Sequence, residues 1–171
     1  MRRLFLVRHA KTEPAVGRDD FHRKLTDRGR EDARRMAVAL AGRDTSPETL
    51  IHSGAPRAME TAEIFARAWA PRAALEKAPE IYEASPSTLL RLVRALPDKC
   101  ASVALVGHNP GIGELAFSLA GSGVYADIRR MAGQYPTCAV AEFEFRVDSW
   151  DDIQRGGGVL VLYRTPAEVE A

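Results

Sequence analysis

Four stretches of this chain place apolar side chains at i, i+3, i+4 and i+7: Ala33/Met36/Ala37/Leu40, Ala62/Phe65/Ala66/Trp69, Leu89/Leu92/Val93/Leu96 and Ile112/Leu115/Ala116/Leu119. That spacing predicts an amphipathic helix at each. A short apolar or β-branched run precedes every one: Leu4 to Val7, Leu50 to His52, less distinctly Leu75 to Tyr82, and Ser102 to Val106. Strand followed by helix, repeated, can bury both kinds of element only as βαβ units around a parallel sheet, so the chain reads as α/β.

Start signals support the helices. Thr26 is placed to cap the first, Pro56 and Pro86 sit where first turns tolerate proline, and Asn109-Pro110 reads as an N-cap followed by proline at the first helical position. Beyond Gly121 to Gly133 the pattern changes to two strand-like runs, Cys138 to Val147 and Val159 to Tyr163, expected as a hairpin or as edge strands. No repeat or long linker interrupts the chain, and 171 residues suffice for one core. One domain over residues 1–165 is expected, with 166–171 as a frayed tail.

Charge narrows the range of partners. The 24 Lys and Arg balance 23 Asp and Glu to a net +1, so no global field draws nucleic acid or an anionic membrane, and neither is expected as a partner. Any bound anion has to be held by local geometry. Cys100 and Cys138, the two cysteines, lack metal-binding or redox spacing and suit a reducing compartment. The apolar start at Leu4 to Val7 is cut short by Arg8 and His9, well below the length of a secretion signal, and no later apolar run approaches the ~18 residues of a membrane span. A soluble cytoplasmic protein is expected.

In an open parallel sheet, ligands bind beyond the carboxyl ends of the strands. There this chain carries Arg8 and His9 after the first run, Ser53-Gly54-Ala55-Pro56-Arg57 after the second, Glu83 near the third, and Gly107-His108-Asn109-Pro110-Gly111 after the fourth. Guanidinium groups recognise phosphoryl oxygens bidentately, and the helix start after Asn109 would add backbone donors, so the edge reads as a phosphate pocket. No P-loop and no Asp/Glu cluster for Mg²⁺ is present, and no cofactor is expected. His9, His22, His52 and His108 form neither His-x-His nor His-Glu-x-x-His, and Arg8 beside His9 would repel a dication, so no metal site is expected. Transfer would then rest on protein cations and a protein nucleophile, a role histidine can fill. His22 and His52 read as solvated and structural residues.

Three segments, Leu6-Val7-Arg8-His9-Ala10, Ser53-Gly54-Ala55-Pro56-Arg57-Ala58-Met59-Glu60-Thr61-Ala62 and Val106-Gly107-His108-Asn109-Pro110-Gly111, resemble in order and spacing the histidine phosphatase superfamily, also called phosphoglycerate mutase-like. Ala10 stands where many members carry glycine and is similar to the short phosphohistidine phosphatases. The resemblance implies a three-layer α/β/α sandwich with a mostly parallel central sheet and no large helical lid. It also implies that His9 becomes phosphorylated, that Arg8 and Arg57 clamp the phosphoryl oxygens, and that His108 completes the pocket, with Asn109 beside it. Glu83 in Ile81-Tyr82-Glu83-Ala84 is the nearest match to the general acid of larger members, with Glu80 three residues before it. Lys11, Thr12 and the loop from Asp19 to Thr26 follow the nucleophile; Arg23 there is either a phosphate contact or a solvated arginine.

The short stretch between Tyr82 and the fourth strand leaves room for one helix and no enclosing insertion. An open pocket that grips the phosphoryl group alone suits a phosphate displayed on a protein, such as phosphohistidine, with inorganic phosphate as product. The alternatives are a phosphatase of small phosphomonoesters such as sugar or nucleotide phosphates, and a phosphate-binding regulatory module without turnover.

Overall fold

The computed structural model describes residues 1–17 and 19–170. Arg18 and Ala171 lie outside the described residues. The elements run β1 (Arg2–Arg8), α1 (Asp27–Ala41), β2 (Thr49–His52), α2 (Pro56–Ala68), β3 (Ala74–Lys77), α3 (Pro86–Arg94), β4 (Ser102–Gly107), α4 (Gly111–Leu119), β5 (Ala120–Gly123), α5 (Tyr125–Gly133), β6 (Val140–Phe145) and β7 (Gly158–Arg164). The seven strands form one sheet in the order β3-β2-β4-β1-β6-β7-β5. It is parallel except where β6 runs against β1 and β7.

Alternation along β1 shows how the layers are held. Leu4 and Leu6 point into a core shared with Leu89, Leu90 and Val93 of α3, Ile112 and Leu115 of α4 and Met131 of α5. Phe5 and Val7 point to the opposite face, against Met36 and Leu40 of α1 and Phe65 of α2. The side-chain period of two thus feeds both cores from one strand, and a central strand buried on both faces is continuously apolar, as Leu4 to Val7 is. The three layers follow, and between β3 and β4 stand only a 3₁₀ turn, Pro79–Ile81, and α3, with no helical lid.

Several local signals act as read from the sequence. Thr26 caps α1 by accepting from the Gly29 N–H at 3.0 Å, Pro56 and Pro86 open α2 and α3, and Ser85 caps α3 through the Thr88 N–H. Others are corrected. The cap of α4 is Pro110, one residue later than expected, although Asn109 Oδ1 still accepts from the Gly113 N–H at 3.2 Å. β5 and α5 occupy the stretch where no element was expected. β6 and β7 pair antiparallel as the expected hairpin, but they lie inside the sheet, between β1 and β5, and its edges are β3 and β5. The tail is not frayed through residue 170, because Pro166–Glu168 forms a 3₁₀ turn with a Thr165/Glu168 capping box, Glu168 pairs with Arg130 at 2.7 Å and Glu170 with Arg28. Among the described residues, no helix is long and apolar enough to cross a membrane.

Candidate active site

Parallel pairing of β1 with β4 in the register Val7↔Val106 and Arg8↔Gly107 sets the residues just beyond them side by side. From there α1 and α4 pass to opposite faces of the sheet, which opens a crevice at the carboxyl ends of these two strands. His9 and His108 lie in it with ring centroids 5.1 Å apart, and the His9 N–H bonds to the Gly107 carbonyl at 3.0 Å. β2, on the other side of β4, delivers Ser53 and, through the first turn of α2, Arg57. Between them Gly54 adopts φ +85°, a left-handed conformation natural to glycine, and its N–H donates to His52 Nδ1 at 3.1 Å. His52 therefore shapes this turn and takes no part in the crevice, and His22 is exposed and paired with Asp19 at 2.9 Å.

His9 is 5% exposed, and its Nδ1 lies 2.8 Å from the Ala10 carbonyl, an atom that can only accept. Nδ1 therefore carries the proton, and Nε2 keeps its lone pair. Burial first, then the neighbouring His108, Arg57 and Arg8, push the imidazole down to about 3 despite the opposing pull of the Ala10 carbonyl, so the ring is neutral across the physiological range. Thr61, on α2, fixes this loop: its Oγ1 accepts from the Ala10 N–H at 3.1 Å and its hydroxyl donates to the Arg57 carbonyl at 2.7 Å. One buried hydroxyl so ties the histidine loop to the arginine helix.

His108 is set from behind. Ala55 N–H donates to Ser53 Oγ at 3.3 Å, and Ser53 Oγ lies 2.7 Å from His108 Nε2. The oxygen keeps a second lone pair, so the hydroxyl can donate to Nε2 or accept from it; the arrangement that leaves His108 a donor toward the crevice is the one in which the hydroxyl donates to Nε2 and the ring proton sits on Nδ1. His108 is lowered to about 4, by burial first and then by Arg57, so it too is neutral.

The arginines are held on one side and left open on the other. Arg8 donates through Nη1 to the Tyr135 carbonyl at 3.0 Å, and burial lowers its pKa. Arg57, 3% exposed, donates through Nη1 to the Asp20 carbonyl at 2.7 Å and through Nη2 to Asp20 Oδ2 at 2.9 Å. Arg8 Nε, Arg57 Nε and His108 Nδ1 are buried without a hydrogen-bond partner. A buried donor left unpaired costs about 1–3 kcal/mol, so three beside one nucleophile describe a cradle built for an acceptor with several oxygens.

Not all expected contacts reach this cradle. Asn109 spends its amide on the Tyr135 carbonyl at 2.8 Å and the Gly113 N–H, so it braces the carbonyl that holds Arg8 and does not aim at a phosphate. Three of the first amides of α4 are likewise taken, Ile112 by the His108 carbonyl, Gly113 by Asn109 Oδ1 and Glu114 by the Pro110 carbonyl. Glu83 is exposed with φ +53°, and the residue before it, Tyr82, meets the site: its ring stands edge-on to His108 at 5.3 Å. Lys11 is exposed and contributes its carbonyl to Thr26. Arg23 binds Asp20 Oδ1 through Nε at 3.0 Å and Nη2 at 2.8 Å, and binds Thr12 Oγ1 through Nη1 at 3.1 Å.

Asp20, which sequence reasoning passed over, is the hub of this rim. Its carboxylate accepts from Arg57, from Arg23 and from the Tyr82 hydroxyl at 2.6 Å. The Tyr82 hydrogen bond above all, with Arg57 and Arg23, draws its pKa down to about 2, against a smaller opposing effect of burial. Ser53 and Thr61 lay within a quoted motif without a role attached. Among the described residues, no three His, Cys, Asp or Glu side chains gather as metal ligands.

A sequence model of the histidine phosphatase superfamily (branch 1) matches residues 4–86. The whole fold superposes on a protein of Agrobacterium tumefaciens provisionally named phosphohistidine phosphatase SixA, with a TM-score of 0.80 and 28% identity, over 96% of this chain and 98% of that one. In sequence over residues 4–86 and in fold over nearly its whole length, the chain matches the histidine phosphatase superfamily. Within that superfamily it has the short SixA-like form, and the fold recurs in a protein histidine phosphatase SixA solved with tungstate, at a TM-score of 0.78 and 22% identity over 98% and 99% of the two chains. An uncharacterized protein of Mycobacterium leprae is 28% identical over 165 residues, 94% of this chain and 99% of its own length. The strand-end Arg8, His9, Arg57 and His108 stand together, while Asn109 is engaged with Tyr135 and Gly113 and Glu83 is exposed.

Proposed function

We propose that this protein is a metal-independent phosphatase that works through phospho-His9 and removes phosphate from phosphohistidine displayed on a protein. The observation that carries this reading is the set of three buried, unpaired donors, Arg8 Nε, Arg57 Nε and His108 Nδ1, beside an imidazole whose Nε2 lone pair is free. Phosphoryl transfer needs in-line positioning and neutralisation of the equatorial oxygens more than covalent help from the protein. Here the donors would hold the oxygens while Nε2 of His9 attacks phosphorus and the bond from phosphorus to the substrate ring nitrogen breaks, its electron pair returning to that ring, which departs neutral because its other nitrogen carries a proton. In the second step water attacks phospho-His9, the N–P bond breaks with its electron pair returning to Nε2, and the ring leaves neutral because Nδ1 kept its proton on the Ala10 carbonyl. Inorganic phosphate is the product.

A protein-borne substrate is supported by the absence of a helical lid between β3 and β4 and by the name given to the Agrobacterium relative. Metal independence is supported by the donor set, since two guanidinium groups beside His9 and His108 already supply the charge a dication would bring. Free, buried thiols at Cys100 and Cys138 suit a cytoplasmic setting.

The test is transfer of labelled phosphate from a phosphohistidine-bearing carrier, with wild type, His9→Ala and wild type in EDTA, trapping the enzyme at alkaline pH. Loss of label from the carrier through an acid-labile, His9-dependent phosphoenzyme, unaffected by chelation, is the expected result. An untouched carrier alongside turnover of sugar or nucleotide phosphates would replace the substrate class. Undiminished turnover by His9→Ala, or metal-reversible inhibition by EDTA, would overturn the mechanism.

A further inference from the structure

A cavity of about 820 Å³ lies apart from the catalytic crevice, between α3 and the segment that joins β6 to β7. Ser87, Leu90, Arg91 and Arg94 line it from α3, and Gln154 and Arg155 from the facing segment. Its volume falls within the range of small-molecule sites, about 300–1,000 Å³.

Two of its three arginines are anchored across it. Ser87, Arg91 and Arg94 follow one another at i, i+4 and i+7 on one face of α3, with Leu90, 4% exposed, as an apolar floor. Arg94 donates through Nε to the Ile153 carbonyl on the opposite wall at 2.7 Å, and Arg155 reaches back to donate through Nη2 to Ser87 Oγ at 3.1 Å. These bonds leave both Nη groups of Arg94, and Nε and Nη1 of Arg155, for a ligand. Arg91, on the same face between the two anchored positions, is exposed. At 1.5 Å per residue, Ser87 and Arg94 stand about 10 Å apart along the helix.

These cations lack an acid. Elsewhere on the surface Arg28, Arg34, Arg35 and Arg130 each pair with a carboxylate on their own helix. Arg91, Arg94 and Arg155 pair with none among the described residues, although Asp151 lines the same cavity. The negative end of α3 accounts for Arg91 and Arg94 in its last turn. It does not account for Arg155 arriving from another segment, nor for Arg94 spending Nε on a carbonyl outside the helix. Three like charges around one hollow repel one another until an anion enters, and guanidinium groups suit phosphoryl oxygens.

We propose that this cavity is a second anion site, which takes a small molecule carrying at least two phosphate groups, such as an oligophosphate. One phosphate between Arg155 and Arg91 and another between Arg91 and Arg94 engage all three guanidinium groups, and a single phosphate leaves one of them unmatched. Leu90 and Gln154 remain for an uncharged part of the ligand. The concave shape favours a small molecule over an acidic protein surface, which would also meet the exposed Glu80 and Glu83 just ahead of α3.

The experiment titrates inorganic tripolyphosphate and orthophosphate into the full-length protein, followed by ¹H–¹⁵N NMR. Tripolyphosphate should shift the amides of Ser87, Gln154 and Arg155 at concentrations about tenfold or more below those orthophosphate needs, the worth of one further charge-assisted contact. By calorimetry, an Arg91→Ala/Arg155→Ala double variant should bind tripolyphosphate about 10- to 100-fold more weakly at an unchanged urea midpoint. Equal affinity for the two anions, shifts confined to the amides around His9 and His108, or undiminished binding by the double variant would each overturn the proposal. So would tripolyphosphate that leaves the cavity unmoved; a raised KM of the double variant for a phosphohistidine carrier would then reassign the arginines to an acidic protein surface.

Discussion

Replacing Ser53 by alanine isolates the orientation of His108. Ser53 is 1% exposed, receives the Ala55 N–H and lies 2.7 Å from His108 Nε2; by donating there it would keep the ring proton on Nδ1, the buried atom without a partner. Since His108 is neutral down to about pH 4, only one of its nitrogens carries hydrogen, and the hydroxyl decides which. Without it the proton is free to move to Nε2, and Nδ1 would then turn a lone pair toward the phosphoryl oxygens. The loss is one hydrogen bond to a charged group, about 1.5–3 kcal/mol, or roughly 10- to 150-fold in kcat/KM. Because the defect is on the phosphoryl side, the carrier and an ester such as p-nitrophenyl phosphate should be slowed by the same factor. Ser53→Thr, which keeps the hydroxyl, should recover most of the rate, and ¹⁵N NMR of the imidazoles should show His108 as the Nδ1–H tautomer in wild type only. A Ser53→Ala enzyme within twofold of wild type, or an Nε2–H tautomer in the wild type, would refute this reasoning.

Two further outcomes follow from the same geometry. His9 and His108 titrate near 3 and 4 when folded and near 6.5 when unfolded, so the unfolded chain takes up protons first; the stability present above pH 6.5 should be lost as pH falls toward 4, by on the order of 5 kcal/mol, and urea midpoints should show a shallower pH dependence in His9→Gln. A Cβ at Gly111 would stand 2.1 Å from the Ala84 carbonyl, so Gly111→Ala should push the segment carrying Tyr82 off His108, costing about 1–3 kcal/mol in urea denaturation and lowering turnover, whereas Gly133→Ala, with nothing within 4 Å, should do neither.

What the sequence revealed and what it concealed divide along a physical line. β1, β2 and β4 were visible because a strand buried on both faces must be apolar throughout, and α1 to α3 because Thr26, Pro56 and Pro86 act within their own first turns. β5 is Ala-Gly-Ser-Gly, which carries none of the branched or aromatic residues that mark a strand and is held by its parallel pairing with β7. β6 resembles an edge strand because Glu142 and Glu144 interrupt its apolar run. Yet Glu142 is fully buried, held by Arg3 at 2.5 Å and Arg43 at 2.8 Å, so its charge is matched by residues 139 and 99 positions away that no local pattern predicts.

The site divides in the same way. Arg8, His9, Arg57 and His108 are legible because each follows the carboxyl end of a strand, where the sheet presents side chains to a ligand whatever the loops do. Asp20 reaches the site through Arg57 and Tyr82, 37 and 62 residues away, and a lone Asp in a polar loop carries no periodic signal. The acid that the resemblance implies falls on Glu83, where a left-handed φ of +53° marks a sharp turn in the backbone, and it is Tyr82, one position earlier, that stands against His108. A carboxylate is the expected residue type at that point only if the leaving group needs a proton. An aromatic hydroxyl that steadies a second carboxylate is what the rim requires if the leaving group arrives with its own.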